Sequence, residues 1–390
     1  MSSSRHAVPA MVAAGAALLV VAVGSAGFLG GSGGPTLDAR PAVATLVPTT
    51  PREPPAPPTA APAPRDVLDE VLLDPAALPP RAVERASVVL VVIGGSLPPD
   101  GVPVAFDADA EEWVRLDTHG VRLPELLGPA PDGRRLLTIS WSADPEALAG
   151  VVATVSFVDL GTGQRREVPL PGPGSGGAAC VPENAGWAPD SRRVALVMGC
   201  FRPHPTDPAL DEVSTEVHEV DLVTGATRLV ERVPAATPLE LGATWSPDGR
   251  YVAYGVGHPA PEGAEEEWQT LRVVGTAGTG VQEWFALRVP TGDPWLDDRT
   301  LVARDDLAPD GAPHLLLDAG TGERLPASTV DVRLVAGVAR GALVVDGRGG
   351  GCPVTLCLTD ATSGELRPWV SAPEGIGITT VWPARDLLGT

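Results

Sequence analysis

The tryptophans at positions 187 and 245 constrain this chain more than any other feature. Trp187 opens "WAPDSRRVAL" and Trp245 opens "WSPDGRYVAY", 58 residues apart, and Pro129 stands 58 residues before Trp187 at the head of "PAPDGRRLLT". In the copy at Trp245, Pro247 presets φ for the first central position of a tight turn, Asp248 bonds back to the backbone, and Gly249 tolerates positive φ. Trp245 therefore ends one strand and Tyr251 begins the next. A shortened copy, "WLDDRTLVA", starts at Trp295.

Each copy continues with a second apolar run that ends in Asp and a Thr-Gly or Ser-Gly turn, followed by a polar strand. The examples are "VSFVDLGTGQRREV" from Val155, "VHEVDLVTGATRLV" from Val217, "LLLDAGTGERL" from Leu315 and "LCLTDATSGELRPWV" from Leu356. A unit is thus four short antiparallel strands. One such sheet cannot cover its own faces, so several must stack around an axis, which predicts an all-β propeller. Residues 87–93, 102–108 and 111–117 supply only three strands before the second unit begins near Leu123. The missing strand is expected from the C-terminus, where "GITTVW" from Gly377 puts Trp382 at the repeat position and closes the ring. With units near 129, 187, 245, 295 and 336 the count is six blades; a divergent blade before residue 87 would make seven.

The Trp-Ser-Pro-Asp-Gly-Arg turn followed by a strand and "DLxTG" resembles the TolB-type, WD-like propeller repeat of bacterial envelope proteins. The resemblance covers residues 82–390, is sharpest at Trp187–Leu196 and Trp245–Tyr254, and departs at Pro129, at Trp295 and around Val338. It implies a propeller used mostly for protein contacts, with no catalytic residues to carry over. Trp187, Asp190, Trp245, Asp248, Gly249, Trp295 and Trp382 are structural residues in that reading.

Ahead of the propeller, Arg5 and His6 precede an uncharged apolar run, residues 7–31, long enough to span a bilayer. The positive flank predicts a cytoplasmic tail at residues 1–6 and everything downstream outside the membrane. Cleavage after Gly24-Ser25-Ala26 is the competing outcome and would give a secreted chain; the lack of a cysteine after the run excludes a lipoprotein. Residues 32–65 read as a linker, since 19 of the 24 residues from Pro41 to Pro64 are Pro, Ala or Thr, a composition that makes an extended spacer. Residues 66–81 connect it to the propeller at 82–390, and the first half of "RDVLDEVLLDPAALPPRAVER" from Arg65 has the pattern of a short amphipathic helix broken at Pro75.

A net charge of −21 makes nucleic acid and anionic lipid poor partners, because phosphate binding needs a basic face. If "APDS" is the turn between paired strands, Cys180 and Cys200 sit opposite one another and can form a disulfide, while Cys352 and Cys357 can close a small loop. Four cysteines in an exported chain read as two such bridges. Neither spacing has the form of a redox motif or a zinc site.

No catalytic residue and no cofactor site is assigned, and the expectation is a chain that is not an enzyme. Ser96 and Ser175 lack the spacing of a nucleophile elbow. The glycine-rich stretches from Gly172 and Gly347 lack the lysine and helix of a phosphate loop, and the histidines at 119, 204, 218, 258 and 314 stand singly. The loops between second and third strands are longest in the middle blades, beginning at Ser142, Phe201 and Gly257, and long loops on a rigid scaffold are where binding resides. They carry His204, Asp207, Asp211, Glu212, His258, Glu262, Glu265, Glu266 and Glu267, an acidic rim suited to a basic envelope protein or to a weak divalent-cation site. The expected function is a membrane-tethered extracytoplasmic scaffold or envelope sensor. The alternative is an enzyme, or a protein that binds a small ligand or sugar in the central pocket.

Overall fold

The computed structural model describes residues 67–143, 151–171, 178–202, 212–239, 243–258, 268–278, 280–290, 292–305, 314–327, 335–347 and 352–388. All belong to the compact unit that runs from Ala61 to Thr390. The expected membrane segment and Pro-rich linker lie outside the described residues, among which no helix is long and apolar enough to cross a membrane.

The described strands form six sheets, the six blades of a propeller. Blade 2 consists of Leu126–Pro129, Arg135–Ala143, Val151–Asp159 and Arg165–Glu167. Blade 3 repeats it with Ala179–Trp187, Arg193–Arg202, Glu212–Asp221 and Thr227–Pro234. In blade 4 the short strands Thr237–Pro238 and Thr244–Trp245 both pair with Tyr251–His258, followed by Trp268–Gly275 and Val281–Phe285. Blade 5 holds Leu287–Arg288, Thr300–Asp305, Leu315–Asp318 and Arg324–Leu325, with Trp295 bridged to Leu301. Blade 6 holds Val335–Ala339, Ala342–Asp346, Leu356–Thr359 and Leu366–Ser371.

Blade 1 closes the ring as expected. The C-terminal strand Ile376–Pro383 pairs antiparallel with Ala86–Gly94, placing Trp382 opposite Val89, and Val102–Asp107 and Glu112–Leu116 complete the sheet. The segment before it behaves differently from the expected helix. Residues 67–69 form a turn, Val71–Leu72 adds in parallel to the outer strand of blade 6, and Pro80–Arg81 adds in parallel to the outer strand of blade 1. Burial explains the outcome: Val67, Leu68 and Leu73 pack on Trp369 and Val370, and Trp369 Nε1 donates to the Val67 carbonyl at 3.0 Å. The seam between the last blade and the first is thus joined inside by the C-terminal strand and outside by this strap.

The repeat tryptophans hold neighbouring blades together. Trp245 Nε1 donates to the Gly186 carbonyl of blade 3 at 3.2 Å, and Trp295 Nε1 donates to Thr244 Oγ1 of blade 4 at 3.3 Å. On the opposite side each ring is covered by the residue that follows the preceding blade's turn. The Arg135 guanidinium lies 4.9 Å from the Trp187 ring, Arg193 lies 5.4 Å from Trp245, and Tyr251 stacks on Trp295. Such cation–π contacts contribute about 0.5–2 kcal/mol each. The inner strands approach so closely that a Cβ on Gly186 would lie 1.7 Å from the Ala243 carbonyl oxygen, so only glycine fits there.

Candidate functional site

The tight turns deliver each inner strand to the axis in the same way. In "WSPDGRY" the Gly249 amide donates to the Ser246 carbonyl at 2.9 Å, Asp248 Oδ1 accepts from the Arg250 amide at 3.0 Å, and Gly249 takes φ +73°. In "WAPDSRR" Ser191 takes the same left-handed place at φ +52°, and its Oγ accepts from the Asp132 amide of blade 2 at 2.9 Å.

Where these strands converge there is a cavity of about 240 Å³. Its walls come from the inner edges of blades 1 to 5, including Leu127 and Gly128, Asn184 to Trp187, Ala243 to Trp245, Asp293, and Thr380, Trp382 and Pro383. That origin puts it on the propeller axis. Trp187, Trp245 and Trp382 all contribute, and Trp382 lies over Gly128, where a Cβ would meet its ring at 3.2 Å. Trp187 Nε1 has no hydrogen-bond partner among the described residues.

Among the described residues, charge enters this apolar chamber once, as a neutral pair. Arg385, just beyond the closing strand, reaches across the axis. Its Nε donates to Asp293 Oδ2 at 2.5 Å, a second nitrogen donates to Asp293 Oδ1, and Nη1 donates to the Trp245 carbonyl at 2.8 Å. Both side chains are largely buried, so the two-point guanidinium–carboxylate geometry is what makes the pair tolerable there. The one-turn helix Arg385–Leu388 is held in place by the Asp386 amide donating to the Pro131 carbonyl at 3.1 Å and by Arg340 Nε donating to the Leu388 carbonyl. Burial, with the nearby Asp132 charge, pushes the Asp386 carboxyl above its ordinary range.

No residue of the central pocket was assigned from the sequence; the structure brings Asp293, Arg385, Thr244 and Thr380 together there. Trp187, Trp245 and Trp382 were read as scaffold, and they are also cavity wall. Of the expected rim, His204, Asp207, Asp211, Glu262, Glu265, Glu266 and Glu267 lie outside the described residues. Glu212 opens its strand opposite Arg202, and His258 ends its own opposite Trp268. His258 Nε2 is buried without a hydrogen-bond partner among the described residues.

Both expected disulfides form, Cys180–Cys200 and Cys352–Cys357. A register shift between Pro182 and Asn184 brings Cys180 opposite Cys200. Two of the histidines that stand singly in the sequence are buried in the fold. His314 is fully buried, and His218 lies inside a strand with its Nε2 2.9 Å from Glu216 Oε2.

No protein family and no curated protein matches this sequence. Solved structures do match. An oligogalacturonate lyase in complex with manganese is similar at 16% identity and a TM-score of 0.41, over 72% of this chain and 73% of that one. The β-propeller domain of the Trilobed protease from Pyrococcus furiosus is similar at 12% and 0.37, over 75% and 83%. An acylaminoacyl peptidase in complex with Z-Gly-Gly-Phe-chloromethyl ketone is similar at 14% and 0.39, over 62% of this chain but only 39% of the peptidase, so the chain spans about two fifths of its length. The likeness is one of fold. It corrects the expectation that this chain is not an enzyme: the similar structures are enzymes or a domain of a protease, so a propeller of this kind is no mark of a non-catalytic protein. No particular activity follows from it.

Proposed function

We propose that this chain is an exported, membrane-held propeller that binds a small neutral ring compound, a sugar above all, in its axial cavity. The observation that carries the reading is the pairing of tryptophan walls with an internally neutralised Arg385–Asp293 bridge. Trp382, half-buried at the wall, offers an amphipathic indole surface to a ring, while Trp187 and Trp245 are almost wholly buried and stiffen the wall. Thr244 and Thr380 stand in the wall, the Thr244 hydroxyl already accepting from Trp295 Nε1, and the neutral bridge gives a charged ligand no unpaired partner. At about 240 Å³ the chamber falls below the roughly 300–1,000 Å³ of common ligand pockets, which favours a compact guest. Export is supported by the two disulfides and by the apolar N-terminal run, and an envelope setting by the TolB-type repeat.

Titration of the purified protein with neutral methyl glycosides, followed by tryptophan fluorescence, tests the cavity. The expected result is saturable quenching that disappears in Trp382→Ala. Quenching that survives in that variant, or no response to any neutral glycoside, refutes the reading.

A second use, docking of a basic envelope protein on the acidic loops, is favoured by the strand pairs that close at Arg202 opposite Glu212 and at His258 opposite Trp268, so that both loops spring from neighbouring blades. Neutralising Glu265, Glu266 and Glu267 is expected to weaken capture of such a partner while glycoside quenching persists.

A further inference from the structure

Glu216 is an anomaly in its surroundings. It is 1% exposed on a face of blade 3 that otherwise turns Met198 and Cys200 toward Ile139 and Val155 of blade 2. A carboxylate buried in such a place needs a compensating cation. Arg232 Nε stands 3.7 Å from Glu216 Oε1, and His218 Nε2 stands 2.9 Å from Oε2. A neutral disulfide beside the carboxylate has no use for its charge. Yet Cys200 lies opposite both Cys180 and Ser214, and Glu216, two residues past Ser214, shares their face. The two sulfurs and a Glu216 oxygen lie within 4.8 Å of one another.

We propose that reduction of the Cys180–Cys200 disulfide turns this cluster into a zinc site, with Cys180, Cys200 and Glu216 as ligands and His218 as the residue that orients Glu216. The chemistry balances with a dithiol as reductant. The dithiol gives two electrons and two protons to the disulfide and becomes a cyclic disulfide itself, leaving two thiols. Zinc then displaces the two thiol protons as two Zn–S bonds form. Ligand atoms within 4.8 Å of one another suit a tetrahedral ion with Zn–S of about 2.3 Å and Zn–O of about 2.0 Å. The charges close as well, since two thiolates and one carboxylate are matched by the dication and the Arg232 guanidinium. A carboxylate ligand held by a second hydrogen bond is the usual outer support of such sites, and half-buried Cys180 gives the ion an entry path. Sequence spacing missed the site because its third ligand comes from the neighbouring strand. Oxidising surroundings keep it closed and a reducing dithiol opens it.

The test uses the full chain with Cys352→Ser and Cys357→Ser, so that a single cysteine pair remains, and Co²⁺ as the spectroscopic probe. After dithiol reduction and removal of the dithiol, one Co²⁺ per chain is expected to bind with a near-ultraviolet thiolate-to-cobalt band. Excess Zn²⁺ should abolish the band, and the oxidised protein should never show it. Glu216→Gln should weaken Co²⁺ binding by about tenfold or more. Near-ultraviolet circular dichroism on the same samples reports the fold; should the double serine variant not fold, the wild-type chain with both pairs reduced is compared with Cys180→Ser. No band in the folded reduced protein, a band that persists in Cys180→Ser, affinity unmoved by Glu216→Gln, or a reduced chain that unfolds and is not restored by zinc would each overturn the proposal.

Discussion

Tyr254 is fully buried, and its hydroxyl donates to Glu231 Oε2 on the outer strand of blade 3. Arg272 of blade 4 donates to the other oxygen of the same carboxylate at 2.5 Å and also pairs with Glu283. Burial first, then the Glu231 charge, pushes Tyr254 ionisation far above the ordinary phenol range, against the opposing pull of Arg272. The phenol is therefore expected to stay protonated for as long as the fold lasts. The chain has two tyrosines, so a Tyr251→Phe variant isolates the signal. In an alkaline spectrophotometric titration, tyrosinate should appear only together with loss of the β circular-dichroism signal. A tyrosinate transition in the folded protein would contradict this account of the blade 3–blade 4 contact.

At the scale of the element, one hairpin recurs. Asp159, Asp221, Asp318 and Asp360 each accept backbone N–H groups two or three residues ahead, and a glycine with φ between +70° and +76° follows in each copy. Hydrogen bonds to Thr162 hold the Asp159 carboxyl below its usual range. Asp221, beside Arg192, and Asp360, bonded to Thr362, are held down to about 2. A carboxyl whose folded pKa is depressed adds stability that is complete above the unfolded value, about 4, and is lost as pH falls through the folded one. Thermal midpoints should be flat with respect to these groups above about pH 5 and decline between about pH 4 and 2. Asp360→Asn should flatten part of that decline; an unchanged acid limb would remove the aspartate turns as its cause. These hairpins were legible in the sequence because everything that makes them lies within about seven residues; the cysteine pairing was legible from the turn between its two strands only to within a residue, and the bulge between Pro182 and Asn184 sets it. The axial bridge was not legible, because Asp293 and Arg385 are 92 residues apart and each looks like an ordinary surface charge in the sequence. Nor was the strap, whose two-residue strands are too short to show any period. The acidic loops, prominent in the sequence, fall outside the described residues, and the candidate site moved to the axis.

For the molecule as a whole, ring closure is the property that matters, because each blade hides its apolar faces only against its neighbours. The outer join at the seam buries Val67, Leu68 and Leu73 and satisfies Trp369 Nε1. Removing residues 1–82 is expected to lower unfolding stability by roughly 5 kcal/mol, from lost apolar burial at about 1.5–2 kcal/mol per side chain. Chemical denaturation reads this as a lower midpoint. An equal midpoint in the shortened chain would mean that the C-terminal strand alone closes the ring. The parallel alignment of Val71–Leu72 with Val370–Ser371 also sets how the ring responds to traction. A pull directed along Val71–Leu72 would load that pairing in shear, a geometry in which the bonds of a ladder must fail together. Such a pull is met first at the outer strand of blade 6, before it reaches Ala86–Gly94 and the closing strand paired with it, so the strap stands guard over the closure it flanks.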